Sequence, residues 1–275
     1  LKADVYVVDS ASSDGTPEAI AARFPQVKLT ASPTNLGFGA SNNVALRQIG
    51  FGKEVARDDL PPVVYLLNPD TITRPGAVRT LVDALLADSK IGLVGAHLFY
   101  EDGSFQHSAF HFPGLRQLWV EFFYTPGRLL DGAFNGRYPH ALYDAGQPFR
   151  VDFTLGATMM LRREVIEQTG MFDEAFFMYC EEIDWAWRIQ KAGWSAYCVP
   201  GAQVVHLSGK STTQVRPRSL MYLWTSRLLL ARKHYPGWKR LLVRAMIFIG
   251  MTFKLLQARR ALEAAPSSER EAILQ

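Results

Sequence analysis

The sequence predicts an α/β protein, a mostly parallel sheet covered by helices, with a helical extension at its C-terminal end. Three observations carry that prediction. Short apolar runs and helical patterns follow one another through residue 100 in the order strand, helix, strand, helix, strand, helix, strand. The first three runs each pass at once into a polar loop of Asp, Asn, Ser, Gly and Pro. The end of the chain differs in charge: from Leu207 onward thirteen Lys or Arg stand against three Glu, a net of +10, so residues 1–206 carry −6 of the chain's +4.

The first strand is Val5-Tyr6-Val7-Val8, and Asp9-Ser10-Ala11-Ser12-Ser13-Asp14-Gly15-Thr16 leads from it into a helix with Pro17 and Glu18 in its first turn. The second, Val27-Lys28-Leu29, is followed by Ser32-Pro33-Thr34-Asn35-Leu36-Gly37-Phe38-Gly39 and a helix over 40–49. The third, Val63-Val64-Tyr65-Leu66-Leu67, is bounded by Pro61-Pro62 and Pro69, with a helix over 75–87 after it. Ile91-Gly92-Leu93-Val94-Gly95 is the fourth. Residues 100–150, rich in Gly, Pro and aromatics, read as loops, hairpins and short helices where an acceptor is gripped. A helix begins near Glu181 and ends near Gly193, and Ala202-Gln203-Val204-Val205 reads as a strand ending at His206. Helices over 220–234 and 238–262 flank Tyr235-Pro236-Gly237.

Open α/β sheets bind ligands at the carboxyl ends of their strands, so parallel neighbours would bring the three polar loops to one ligand. Asp70, just past the third strand, has two readings: it holds a divalent cation against a diphosphate, or it caps the helix near Pro75. Gly37-Phe38-Gly39 lacks the third Gly of a dinucleotide fingerprint, because position 42 is Asn, and no Gly-Lys-Ser/Thr phosphate loop occurs. Those glycines read as a backbone turn near a nucleotide, with Asn35 free for hydrogen bonds. Glu181, Glu182 and Asp184 suit a helix N-terminus, and Asp184 with Arg188 four residues on makes an intrahelical ion pair. Glu181 and Glu182 have no such partner, which leaves one of them to act as a base. His206 at a strand mouth is either structural or a metal ligand.

Five ordered blocks resemble family 2 glycosyltransferases, rhamnosyltransferase-like bacterial members above all, over roughly residues 4–210. They are Val7 to Thr16, Asn35 to Asn43, Leu67-Asn68-Pro69-Asp70-Thr71, Phe172 to Tyr179 and Glu181-Glu182-Ile183-Asp184. The resemblance implies a GT-A nucleotide-diphospho-sugar transferase fold. It implies nucleotide contacts from Asp9, Ser12, Asp14, Asn35, Gly37 and Asn68, and a Mg2+ or Mn2+ ion on Asp70 and His206. It places the catalytic base at Glu182, the second member of the acidic pair with Glu181, where many relatives have Asp. The reaction implied is inverting transfer from a nucleotide-diphosphate sugar, dTDP-rhamnose by similarity, to a glycan or lipid-linked hydroxyl at the cytoplasmic membrane face. Relatives begin with an extra strand and helix before the strand with which this sequence opens, so the sequence is either a fragment or divergent at its start. If that strand is absent, nucleotide affinity and sheet stability suffer, because its neighbour becomes an exposed edge.

On this reading residues 1–215 form the catalytic domain and 216–275 a basic helical extension. The apolar run 245–253 is far short of the roughly 20 residues that span a bilayer, so the extension either lies on an anionic membrane surface or packs on the catalytic domain. Its basic residues lie among aliphatics with no groove-reading motif, which speaks against nucleic acid. Two cysteines, Cys180 and Cys198, make no disulfide framework and suit a reducing compartment, with Cys180 a small buried residue. Two other functions stay open: a catalytically silent nucleotide-sugar-binding or scaffold protein, and a sugar nucleotidyltransferase. The second needs a Gly-rich basic triphosphate loop near the first strand, and none is visible.

Overall fold

The computed structural model describes residues 2–54, 56–207 and 216–264. In chain order the first elements are β1 (Tyr6–Ser10), α1 (Thr16–Arg23), β2 (Lys28–Ser32), α2 (Phe38–Ile49), β3 (Val63–Leu67), β4 (Thr71–Thr73), α3 (Ala77–Leu86) and β5 (Ile91–Phe99). Then come β6 (Phe105–Gln106), β7 (Ala109–Phe110), α4 (Leu115–Phe122), α5 (Gly127–Leu130), α6 (His140–Asp144), β8 (Phe149–Val151), β9 (Phe153–Thr154) and β10 (Thr158–Arg162). The last are α7 (Arg163–Thr169), α8 (Glu181–Lys191), β11 (Ser195–His206), α9 (Arg216–His234) and α10 (Gly237–Ala264).

The parallel frame expected from the strand–helix alternation is present. β1 and β2 pair in parallel, and β3, β5 and β11 share one direction in a seven-stranded sheet of order β3-β10-β5-β11-β4. β10 runs against its neighbours β3 and β5, and β4, β6 and β8 are also antiparallel. Three of these four come from beyond residue 100, where no crossover helix returns the chain to the starting edge. Among the described residues β1 pairs only with β2 and β3 only with β10, so each keeps one edge without a ladder partner.

Side chains alternate across this sheet and build a core on each face. Leu93, Met159 and Leu161 point into one, with Trp185, Ala186 and Ile189 of α8 and Val165 of α7. Val94, Ala96, Leu98 and Met160 point into the other, with Leu81 and Leu85 of α3. Taking a side chain of this size fully out of water contributes about 1.5–3 kcal/mol, and β5 is buried on both faces from Ile91 to Leu98.

The chain divides into two compact units, Leu1–Phe112 with Tyr138–Leu229, and Pro113–Arg137 with Leu230–Gln275. The boundary expected at 215/216 falls at the margin of residues 208–215, outside the described residues. The first part of α9 belongs with the catalytic unit for a physical reason. The Tyr222 ring packs tilted against Phe177 at 4.5 Å, and Ser226 Oγ donates to Met178 O at 2.7 Å. In the second unit α4 packs on α10, where Gly250 leaves room for the Phe122 ring that any Cβ would strike.

One expectation needs correcting. Residues 245–253 are only the middle of a continuous 28-residue helix, α10, about 42 Å long at 1.5 Å per residue. Gly237–Glu263 is long and apolar enough to cross a membrane by length and composition, with a mean hydropathy of 1.6 over its best 18-residue window. The apolar character resumes beyond Lys254 at Leu255 and Leu256, which a reading of uninterrupted apolar runs misses.

Candidate active site

Polar loops gather at the carboxyl ends of β1, β3 and β11. Asp9 is buried at the end of β1, and its Oδ2 accepts the Ser12 N–H at 2.9 Å. Ser10 Oγ accepts the Leu36 N–H at 3.0 Å and meets Ser41 Oγ at 3.1 Å, which ties the β1 loop to the start of α2. Asn35 Oδ1 accepts the Gly37 N–H at 2.9 Å, so part of its capacity goes to shaping its own loop. Asp14 is exposed and accepts two hydrogen bonds from Thr16, which hold its carboxyl below the usual range and start α1.

Gly37 has φ 78°, and a Cβ there would collide with the Phe177 carbonyl oxygen. Only glycine fits. The adjacent Phe38 N–H donates to that oxygen at 3.0 Å, so the turn before α2 is clamped to the segment leading into α8. A Cβ on Gly39 would stand 3.8 Å from Glu181 Cβ. The Gly-rich loop is therefore a close approach of two backbones beside the acidic pair.

Asp70 sits in the turn joining β3 to β4. Its backbone oxygen accepts the Leu207 N–H at 2.8 Å, and its Oδ1 lies 3.5 Å from His206 Nε2. Asp70 does not cap α3, which starts at Ala77 with Gly76 as its cap residue and no side-chain cap. His206 ends β11 opposite Thr71 of β4 and is buried. Burial pushes its pKa down, while the Asp70 charge works the other way. The Asn68 N–H donates to Ala157 O at 3.0 Å, and its carbonyl accepts from Thr71 Oγ1 at 2.7 Å.

The acidic segment enters α8 through two strained residues. Tyr179 (φ 69°) and Cys180 (φ 67°) are left-handed without being glycine, at about 1–3 kcal/mol each. Their neighbours hold them there: Phe38 grips Phe177 O, Ser226 grips Met178 O, and Phe176 and Cys180 are buried. Asp184 is fully buried and accepts from Arg188 Nε at 2.9 Å, as its spacing predicts. Arg188 also donates to Thr169 O and, at 2.8 Å, to Met171 O, so this pair staples the loop before α8.

Glu181 and Glu182 are different. Glu181 is buried and Glu182 half-buried, yet the Oε2 of each is shut off from water with no hydrogen-bond partner among the described residues. Burial pushes the Glu182 carboxyl up to about 7. It pushes Glu181 well above the usual range, and the neighbouring Glu182 charge adds to the effect. Two carboxyls this close do not both ionise readily.

The segment before β10 joins the two halves of the site. Ala157 O holds Asn68, while a Cβ on the neighbouring Gly156 would stand 3.5 Å from the Phe38 ring and 3.6 Å from Glu182 Cβ. Residue-by-residue reading missed this strip. Its signal was a lone Gly inside the apolar run 153–161, the mark of a close backbone approach. Gln106 and Ser226 were also missed, and no local pattern announces either.

A model of the family described as "Glycosyltransferase like family 2" matches residues 2–221. The chain is 31% identical over 240 residues to an N-acetylglucosaminyl-diphospho-decaprenol L-rhamnosyltransferase of Mycobacterium tuberculosis, covering 86% of this chain and 76% of that protein. The chain belongs to glycosyltransferase family 2. A second relative of this glycosyltransferase is the rhamnosyltransferase WbbL of Escherichia coli, 27% identical over 173 residues, 62% of this chain and 60% of the relative. Among solved structures, GalNAc-T7 with UDP, GalNAc and Mn2+ superposes with a TM-score of 0.51 at 16% identity, over 74% of this chain and 37% of that one. That likeness confirms the GT-A fold. The family 2 glycosyltransferase moves a sugar from a nucleotide-sugar donor.

Proposed function

We propose that this chain is an inverting rhamnosyltransferase that takes L-rhamnose from dTDP-rhamnose and places it on the hydroxyl of a glycan or lipid-linked acceptor. The Glu182 carboxyl, whose Oε2 is buried with no hydrogen-bond partner among the described residues, carries the mechanism. A group with a pKa of about 7 is half ionised at neutral pH, well matched to general-base work. Glu182 Oε2 takes the acceptor hydroxyl proton as that oxygen bonds to the anomeric carbon from the face opposite the leaving diphosphate. The carbon–oxygen bond to phosphate breaks with its electron pair on the diphosphate, so configuration inverts and no covalent enzyme intermediate forms. Burial and the Glu182 charge both favour the protonated form of Glu181, so in this reading Glu182 is the ionised member of the pair.

Asp70 Oδ1 and His206 Nε2, a carboxylate oxygen and an imidazole nitrogen facing one another, are a fitting donor set for Mg2+ or Mn2+. A divalent cation there supplies neutralisation of the negative charge that grows on the leaving diphosphate. Asp9, Ser12, Asn35, Gly37 and Asn68 frame the nucleotide side, and Asp14 stands further out on the α1 turn. The rhamnosyl donor is supported by the names of both curated relatives and the lipid-linked acceptor by the decaprenol-linked substrate in one of them.

A donor screen tests this reading. dTDP-rhamnose should raise the melting temperature more than UDP- or GDP-sugars and, with a metal ion and a polyprenyl-diphosphate-linked acceptor, release dTDP. Donor binding without nucleotide diphosphate release under any condition would make the chain a binding or scaffold protein. Turnover of a sugar phosphate with a nucleoside triphosphate would make it a nucleotidyltransferase.

The same reading puts the enzyme on the inner face of the cytoplasmic membrane. Trp238 (65% exposed), Leu241 (70%) and Phe248 (74%) stand on the outer side of α10, while Val243 is buried on its inner side. Arg240, Arg244, Lys254, Arg259 and Arg260 are interspersed, and charges at 244 and 254 favour lying along the surface over crossing it. Each Lys or Arg near an anionic surface adds about 1 kcal/mol, falling off within a Debye length. The intact chain should float with anionic vesicles, less so at high salt, and Leu241→Glu with Phe248→Glu should abolish flotation without changing the far-UV spectrum. Equal flotation by both forms, or indifference to lipid charge, would return α10 to a purely packing role.

A further inference from the structure

We infer that Gln106 sets the tautomer of His206 and so turns its Nε2 toward the cation. The inference rests on the proposed reading of Asp70 and His206 as metal ligands. Gln106 ends β6, is 6% exposed, and places Oε1 3.3 Å from His206 Nδ1 in buried surroundings. β6 lies along β5 with Gln106 opposite Leu98, and β11 lies along the other side of β5 with Val204 opposite the same residue. The amide thus reaches the imidazole across one strand.

With its amide oxygen toward Nδ1, Gln106 only accepts there, and in that arrangement a neutral imidazole carries its proton on Nδ1. Nε2 then presents its lone pair to Asp70 Oδ1, 3.5 Å away. Two acceptors facing one another in a buried place repel, and a shared cation removes the repulsion. The other tautomer would point an N–H at Asp70 and close the site with a hydrogen bond. Metal-binding imidazoles typically donate their second N–H to an oxygen, which fixes the ring and raises its basicity. Gln106 is such a donor's acceptor, a positioning residue that acts through His206.

Long-range 1H–15N correlation spectra of the full metal-free chain, with the His206 signals identified by their loss in His206→Ala, should show a protonated Nδ1 and a bare Nε2. Mn2+ titration followed by the free ion's EPR signal should show binding weakened about 10- to 100-fold in Gln106→Leu. Gln106→Glu keeps the acceptor and should bind like the unaltered chain. A proton on Nε2, or unchanged Mn2+ binding in Gln106→Leu while His206→Ala binds poorly, overturns the role of Gln106. Unchanged binding in His206→Ala overturns the metal reading itself. The tautomer is read on the unaltered chain, so a leucine variant that folds badly does not remove the test.

Discussion

Glu182→Gln should lose transfer by about 10²- to 10⁴-fold while still binding the donor, the cost of removing a positioned general base. Glutamine keeps the shape of the side chain, so α8 and its strained entry at Tyr179 and Cys180 stay in place. The pH profile gives a second, independent reading. The base must be ionised, and burial has raised the Glu182 carboxyl from its ordinary value of 4.5 to about 7. Below that pH the proton stays on and the enzyme is slow. kcat/KM should therefore rise tenfold per pH unit on the acid side and level off above about 7, rather than above 4.5 as for an exposed glutamate. Glu181→Gln should keep most activity and the same acid limb, because the Glu182 shift arises chiefly from burial. A dead Glu181→Gln beside an active Glu182→Gln would shift the base by one residue.

Asp70→Asn should lose on the order of 10²-fold or more at limiting Mn2+ or Mg2+, since each 1.36 kcal/mol of lost charge stabilisation costs a factor of ten. The fold should survive. What ties Asp70 to the end of β11 is its backbone oxygen, held by the Leu207 N–H at 2.8 Å, and asparagine leaves that bond untouched. Activity should recover in part at high metal concentration, because His206 still offers its nitrogen. An unchanged melting temperature with transfer like the unaltered enzyme at micromolar metal would remove Asp70 from the metal site.

Local sequence was enough wherever chemistry and backbone direction are set by near neighbours. The run from Val63 to Leu67 became β3 over those residues, and Pro69 released the chain into the Asp70 turn. The four-residue spacing of Asp184 and Arg188 became a 2.9 Å ion pair, which withdrew Asp184 from the candidate bases. The acidic pair and the ordered blocks likewise named the family before any geometry was known. Periodicity failed in two places. It ended the apolar stretch of α10 at Lys254, inside the single helix expected over 238–262, and it gave residues 100–150 no parallel or antiparallel sense.

The residue types, their order and their places on strand ends were determined by the sequence by itself: Asp9, Asp70, His206 and the Glu181–Glu182 pair all lie at element boundaries that short-range propensity can set. Only the tertiary structure decided which of these groups meet and how each ionises. Asp70 and His206 are 136 positions apart yet lie 3.5 Å from one another, because β4 and β11 pair in register at Thr71 and His206. Gln106 and Ser226 owe their places to β5 and α9, elements far from them or from their partners in sequence. The surroundings of the two glutamates are likewise non-local: Gly39 approaches Glu181 and Gly156 approaches Glu182 from distant parts of the chain, and no reading of adjacent residues contains those approaches.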